Sequence, residues 1–294
     1  MAARDRAKRE SPQKSPQKPP HGARRPTPGE LRSRWERLHR GDCEPWPDAQ
    51  RIERLARKQR AFAGTPEQYG GPEALARELQ GAWGEFHAGE FRAAIEHGER
   101  LGPLGASVAN KAAAVATLYS PAGAPAALAT LDAAVKRAEA AVEMLPDYPN
   151  AHYLLALVLG RYSQRISILK ALAEGLAGRV RSHLERTLEL EPRHAEAHLA
   201  FGLYHAEIVA KLGALAAALT YGAGRDAALE HFGRAARLAP DSPIVLMEHA
   251  NGLLLLDARR NRDEARALYR EAAALAPSDA MERLDIERAQ RGPA

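Results

Sequence analysis

At 294 residues, 45% apolar and 27% charged, the chain can bury a sizeable core and is not disordered as a whole; its aromatic share of 5%, with Ala and Leu dominating the apolar set, favours helix and argues against an all-β fold. The net charge of +5 is concentrated at the start: residues 1–40 carry 12 Lys and Arg against 4 Asp and Glu, net +8, which leaves the rest at −3 and excludes reading the body as a basic nucleic-acid binder. Cys43 is the only cysteine, so no intramolecular disulfide can form; with no apolar N-terminal run and no uncharged apolar stretch of about 18 residues, a cytoplasmic protein without a spanning helix is expected.

Residues 1–27 contain the tandem SPQKSPQK, then Pro19-Pro20, with almost no apolar side chains. Such a segment cannot offset its chain entropy and reads as a disordered, basic, Pro-rich tail. Two helices are expected over 28–66. Thr27-Pro28-Gly29-Glu30 supplies a cap, a Pro at the first helical position and an acid at the third, and Leu31, Trp35 and Leu38 share one helical face. Pro47-Asp48 opens the second helix, which is expected to run to about Phe62.

From Pro72 the pattern becomes repetitive. HLERTLELEP (183–192), HFGRAARLAP (231–240) and LYREAAALAP (268–277) align on their last prolines, and RAEAAVEMLP (137–146) is a weaker copy. Each is followed by a short turn and a new helical start, so helix, Pro-containing turn and helix recur. Small residues sit at matching places: Ala195, Ala197 and Gly202 in one helix, Ala228 and Ala235 in the next, Ala250, Ala265 and Ala272 later, and Ala94 in an earlier copy. Paired helices cross closely only where Gly or Ala lets the backbones approach, and Pro stops the second helix before the next hairpin.

These features resemble the tetratricopeptide repeat over about residues 72–277. The resemblance implies an all-α helical-hairpin solenoid of four to five hairpins over 72–291, ending in a capping helix from Asp279 with a polar outer face. Repeats of that family run about 34 residues, whereas the prolines here are 46, 48 and 37 residues apart. The excess forms two Leu- and Ala-rich inserts, 165–179 and 211–225. Lengthened repeats of this kind have architectural parallels in bacterial tetratricopeptide proteins associated with periplasmic transporters and in the regulator-of-microtubule-dynamics family.

The resemblance also implies a concave surface lined by the first helix of each hairpin. Counted from Pro149, Ala195 and Pro243, its residues are Asn150, Tyr153 and Leu157; Glu196, Leu199 and Leu203; and Ile244, Met247 and Asn251. Repeats that clamp acidic chaperone tails need Lys, Arg and Asn here. This set holds no Lys and only Asn150 and Asn251, so an acidic-tail clamp is not expected. Its apolar character suits an amphipathic helix, an apolar ligand, or the chain's own insert Leu212–Leu219 folded back.

Histidine is the one residue type that looks arranged for chemistry. His194, His198 and His205 share a helical face, but His-Ala-Glu-Ala-His lacks the Glu that a zinc peptidase needs after its first His. His152 and His198 occupy equivalent repeat positions, as do His97, His183 and His231, which points to packing rather than a metal. Gly222-Ala-Gly224-Arg225 reads as a turn, and Cys43 beside Asp42 and Glu44 has no nucleophile context. No catalytic residue, metal or cofactor is expected. The leading functional reading is a non-catalytic scaffold for a protein or peptide partner. Two others stand beside it: an apolar small-molecule binder with a pocket between the inserts, and a nucleic-acid-associated protein acting through the basic tail.

Overall fold

The computed structural model describes residues 24–59, 62, 64–119 and 123–292. The disordered-tail reading therefore lies outside the described residues for 1–23. Residues 24–27 differ from it, because Arg25 pairs with Glu85 at 3.2 Å and donates to Glu90 at 2.8 Å, which seats this stretch against the body. The first helix, α1 (Pro28–Leu38), starts with a capping box. Thr27 N–H donates to the Glu30 carboxylate at 2.7 Å while Glu30 N–H donates to the Thr27 hydroxyl at 3.3 Å. Asp48 caps α2 (Ala49–Lys58), which stops short of the expected Phe62, and one further turn, α3 (Thr65–Gln68), precedes the repeats.

Five hairpins follow: α4 (Pro72–His87) with α5 (Phe91–Arg100), and α6 (Gly102–Tyr119) with α7 (Ala124–Met144). Next come α8 (Pro149–Ser163), the short insert helix α9 (Ile168–Ala173) and α10 (Leu176–Leu190). In the fourth, α11 (Ala195–Leu212) and α13 (Arg225–Leu238) flank the insert helix α12 (Ala214–Tyr221). The fifth pairs α14 (Pro243–Asp257) with α15 (Arg262–Ala274), and α16 (Ala280–Arg291) ends the domain. No strand occurs among the described residues, and no described helix is long and apolar enough to cross a membrane. Pro72, Pro149 and Pro243 each occupy the first turn of a helix, where the missing N–H costs no hydrogen bond.

Glycines set how closely the helices pack. A Cβ on Gly202 of α11 would stand 2.5 Å from the Phe232 ring, and one on Gly252 of α14 would stand 2.1 Å from it. Phe232 on α13, fully buried, fills a slot formed by two glycines on successive inner helices. The α5–α6 crossing is tighter still, since a Cβ on Gly105 would lie 2.1 Å from the Gly98 carbonyl oxygen.

The last helix does more than cover an end. Where the repeat pattern predicts a polar outer face, α16 packs on α14, α15 and α4 and brings the end of the solenoid back to its beginning. Asp279, its N-cap, accepts from the Glu282 N–H at 2.8 Å and lies 2.7 Å from His87 of α4, while Arg37 of α1 donates to Glu282 at 2.7 Å. The inner helices α4, α6, α8, α11, α14 and α16 thus surround a central axis.

Candidate functional site

The axis holds a channel. Its inner chamber, about 90 Å³, is walled by residues about one turn apart on successive inner helices: Lys111, Val115 and Tyr119 of α6; Tyr153, Leu157 and Arg161 of α8; Glu196, Leu199 and Leu203 of α11; Ile244 and Glu248 of α14; and Met281 and Asp285 of α16. It adjoins an outer chamber of about 320 Å³ through the shared Leu157, Arg161, Ala200, Leu203 and Glu248. The outer walls are mostly apolar and include both inserts, through Ala171 and Leu172 of α9, Leu212 at the end of α11 and Tyr221 of α12.

The chain's own loop closes one end of the channel. After α1, residues His39–Glu44 run across the inner helices. Lys111 donates to Asp42 and, at 3.0 Å, to Glu196; Glu196 N–H donates to the Gly41 carbonyl at 2.8 Å. Asn150 donates to Glu44 at 2.7 Å, Tyr148 donates to the same carboxylate, and Trp35 Nε1 donates to the Glu44 carbonyl at 2.7 Å. Cys43, at φ 51°, is the one described non-glycine residue in the left-handed region, a conformation held by the contacts on either side of it.

The electrostatics follow from those contacts. Burial works against the Asp42 charge, yet Lys111 and His39 hold its carboxyl well below the usual range. Burial likewise opposes the Lys111 charge, and Asp42 with Glu196 raises its pKa. His87 is pushed down by burial against the opposing pull of Asp279. Burial, with Glu191, Asp42 and Glu196 nearby, pushes the Cys43 thiol up to about 12, which removes it as a nucleophile at neutral pH.

Of the nine residues expected on the concave surface, Tyr153, Leu157, Glu196, Leu199, Leu203 and Ile244 line the inner chamber. Asn251 lines the outer one, together with Leu157 and Leu203. Asn150 instead holds the acidic loop, and Met247 is fully buried in the α14–α15–α16 core, because α16 covers the helix face that an uncapped repeat would leave open. Other inner-surface residues escaped the sequence reading, Lys111, Tyr119 and Asp285 among them. Lys111 belongs to α6, a helix whose repeat register the prolines do not mark, and Tyr119 and Asp285 face inward only because α16 returns to α6. Within the chain itself, Lys111 and Asn150 hold the acidic loop residues Asp42 and Glu44. The insert 212–219 does not fold into the groove. Leu215 and Leu219 stand 76% and 79% exposed, and the occupant is the loop after α1.

The histidines form a repeated packing device. His152 Nε2 lies 2.9 Å from the Pro146 carbonyl and its Nδ1 lies 3.0 Å from Nδ1 of His183; His198 repeats this with the Pro192 carbonyl at 3.1 Å and His231 at 2.9 Å. Burial is the main cause that lowers His183 and His231 to about 4. His194 caps α11 through Ala197 N–H and pairs with Asn150 at 2.8 Å. His205 accepts from Gly224 N–H at 3.3 Å in the turn before α13. Among the described residues no three His, Cys, Asp or Glu side chains are grouped to hold a metal.

The family model described as regulator of microtubule dynamics protein 1-3 matches residues 113–290, from within α6 to α16. The match leaves out α1 and the acidic loop. Among solved structures, a thermophilic tetratricopeptide repeat protein of Thermus thermophilus, TTC0263, is similar, with 20% identity and a TM-score of 0.53 over 74% of this chain and 99% of that one. A likeness at that identity shows the fold, an all-α tetratricopeptide-like repeat. No curated protein matches the chain.

Proposed function

The chain belongs to the regulator of microtubule dynamics protein 1-3 family, and on that premise we propose that it works as a non-catalytic scaffold that takes an amphipathic helix of a protein partner at the open mouth of its channel. One observation carries this reading. The exposed large hydrophobic residues among the described ones are Leu169, Leu172, Leu212, Leu215, Leu219 and Leu255, and all sit on α9, the end of α11, α12 or α14. Those elements frame the outer chamber. A cluster of exposed leucines beside an apolar cavity is the surface that protein partners cover.

The test is the triple variant Leu172→Glu, Leu215→Glu and Leu219→Glu. Since these side chains are exposed, each change should alter stability by no more than about 0.5 kcal/mol. Proximity labelling or crosslinking with mass spectrometry should recover a partner with the wild-type chain and lose it with the variant. Equal recovery from both would overturn the reading.

A second reading, an apolar small-molecule binder, is favoured by the volume of the outer chamber, about 320 Å³, with walls supplied by both inserts. Mass spectrometry of molecules extracted from the purified protein separates the two. The nucleic-acid reading rests on the basic tail, residues 1–27, of which 1–23 lie outside the described residues, and is not carried further.

A further inference from the structure

Four buried side chains stand in an unbroken row where the loop after α1, α4 and α16 meet. Asp42 lies 2.9 Å from His39 Nδ1, His39 Nε2 lies 3.1 Å from His87 Nε2, and His87 Nδ1 lies 2.7 Å from Asp279. All four residues are at most 9% exposed. Each contact is at hydrogen-bond distance and needs one proton between its atoms. Two neutral imidazoles bring one proton each, and two carboxylates bring none. Three contacts with two protons would leave one of them as two facing, buried lone pairs, so the row holds a third proton.

The other histidine pairs differ. His152 donates from Nε2 to the Pro146 carbonyl and accepts at Nδ1 from His183, and His198 does the same with the Pro192 carbonyl and His231. Two contacts there use two protons and no charge. The His39–His87 pair has a carboxylate at each end instead. We propose that its third proton is a latch: it ties the loop that closes the channel, residues His39–Glu44, to α4 and through His87 to α16, and its loss as pH rises releases that end of the channel.

The surroundings place the proton. Burial lowers the pKa of His87. Burial opposes the charges of Asp42 and Asp279, yet Lys111 and His39 hold the first low and His87 the second. His39 is therefore the imidazolium, donating to Asp42 and to His87, while His87 donates to Asp279. The charged and titratable groups around the row are Asp42 on the loop, Lys111 of α6, His194 and Glu196 of α11, and Asp279 and Glu282 of α16, with Arg37 of α1 on Glu282. With the loop closed the proton is held; with the loop open the freed rings titrate near 6.5. The latch is thus complete below about pH 6.5 and weakens as pH rises, the opposite sign to His183 and His231.

Cys43, the only cysteine, sits in the loop and reports on it. While the loop is closed the thiol is held at about 12 and does not react. The full chain is labelled with a maleimide between pH 6.5 and pH 8, and each rate is divided by that of the urea-unfolded chain at the same pH, which removes the thiol's own pH dependence. For the wild type this ratio should rise about tenfold, one proton being released on opening. In Asp279→Asn the amide donates to His87 Nδ1, so the same three hydrogen bonds form without the third proton, and Asn caps a helix as well as Asp does. Its ratio should stay within about twofold across the range. Asp285, which loses its proton near 8, is present in both chains. A flat wild-type ratio, or a rise that persists in Asp279→Asn, would overturn the inference. Nitrogen-15 NMR of the wild-type imidazoles decides even if the variant fails to fold. At pH 6.5 one ring should carry protons on both nitrogens and couple through one of them to a second ring, and absence of that signature would also overturn the inference. Neither measurement involves a partner at the mouth, so the latch stands or falls apart from the proposed function.

Discussion

His183 and His231 show how one residue type, placed by the repeat, affects stability. Each stands on an outer helix and meets the inner-helix histidine of its hairpin ring to ring. In the unfolded chain a histidine titrates near 6.5, whereas burial holds these two near 4 when folded. Between those values the unfolded chain binds protons that the folded chain refuses. Their contribution to stability is complete above about pH 6.5, falls as pH drops toward about 4, and is gone below that. Asp285, whose carboxyl burial raises to about 8, acts in the opposite direction across this window, so the measurement has to be a comparison. Urea unfolding at pH 7.5 and pH 5 should show a smaller loss for the double variant His198→Leu, His231→Leu than for the wild type. An equal loss would mean that these rings are not held neutral.

Helices of the fourth and fifth hairpins are locked by Phe232 between Gly202 and Gly252. A Cβ on Gly252 would meet the ring at 2.1 Å, closer than any real contact, so Gly252→Ala must move the ring or the helix. Overpacking of this kind costs about 1–3 kcal/mol. Phe232→Leu alone removes buried surface and also destabilises, but with Gly252→Ala it makes room for the new methyl. The double variant should therefore lose less than the sum of the two single losses, as measured by urea midpoints. The inserts obey a different rule. α9 and α12 are short, carry leucines on their outer sides and pack only their inner edges, which leaves apolar surface at the channel mouth.

Across the molecule, charge buried on the axis joins parts distant in sequence. Lys111 links the loop after α1 to α6 and α11 in a place where water cannot replace it. Lys111→Met keeps the length of the side chain and removes the ammonium, leaving the buried Asp42 with only His39 beside it and the half-buried Glu196 without a cation. Breaking a buried pair from one side costs about 3–5 kcal/mol. A large drop in the urea midpoint is expected, and a loss below about 1 kcal/mol would mean that water reaches the loop. Adding Asp42→Asn to this variant should recover part of the loss, since a neutral amide needs no counter-charge.

Much of this architecture is legible in the amino-acid order because it is local. The prolines at 146, 192, 240 and 277 stop helices, the recurrence of small residues at matching repeat positions marks where neighbouring helices touch, and Thr27 with Glu30 announces the start of α1. The inward placement of Tyr153, Leu157, Glu196, Leu199, Leu203 and Ile244 follows from the same counting, because it depends only on helical period and hairpin register. What fills the axis does not. Lys111, Asp42 and Glu44 look like solvated charges when read along the chain, and Met247 looks like a groove residue. Only the return of α16 to α4 and the crossing of the loop after α1 over the inner helices bury them. The hairpins and the faces they turn inward can be read from residue order alone, since both arise from contacts within a few turns. Which end of the channel is closed and which leucines remain exposed emerge only in the folded chain, since each depends on contacts between residues far apart along it.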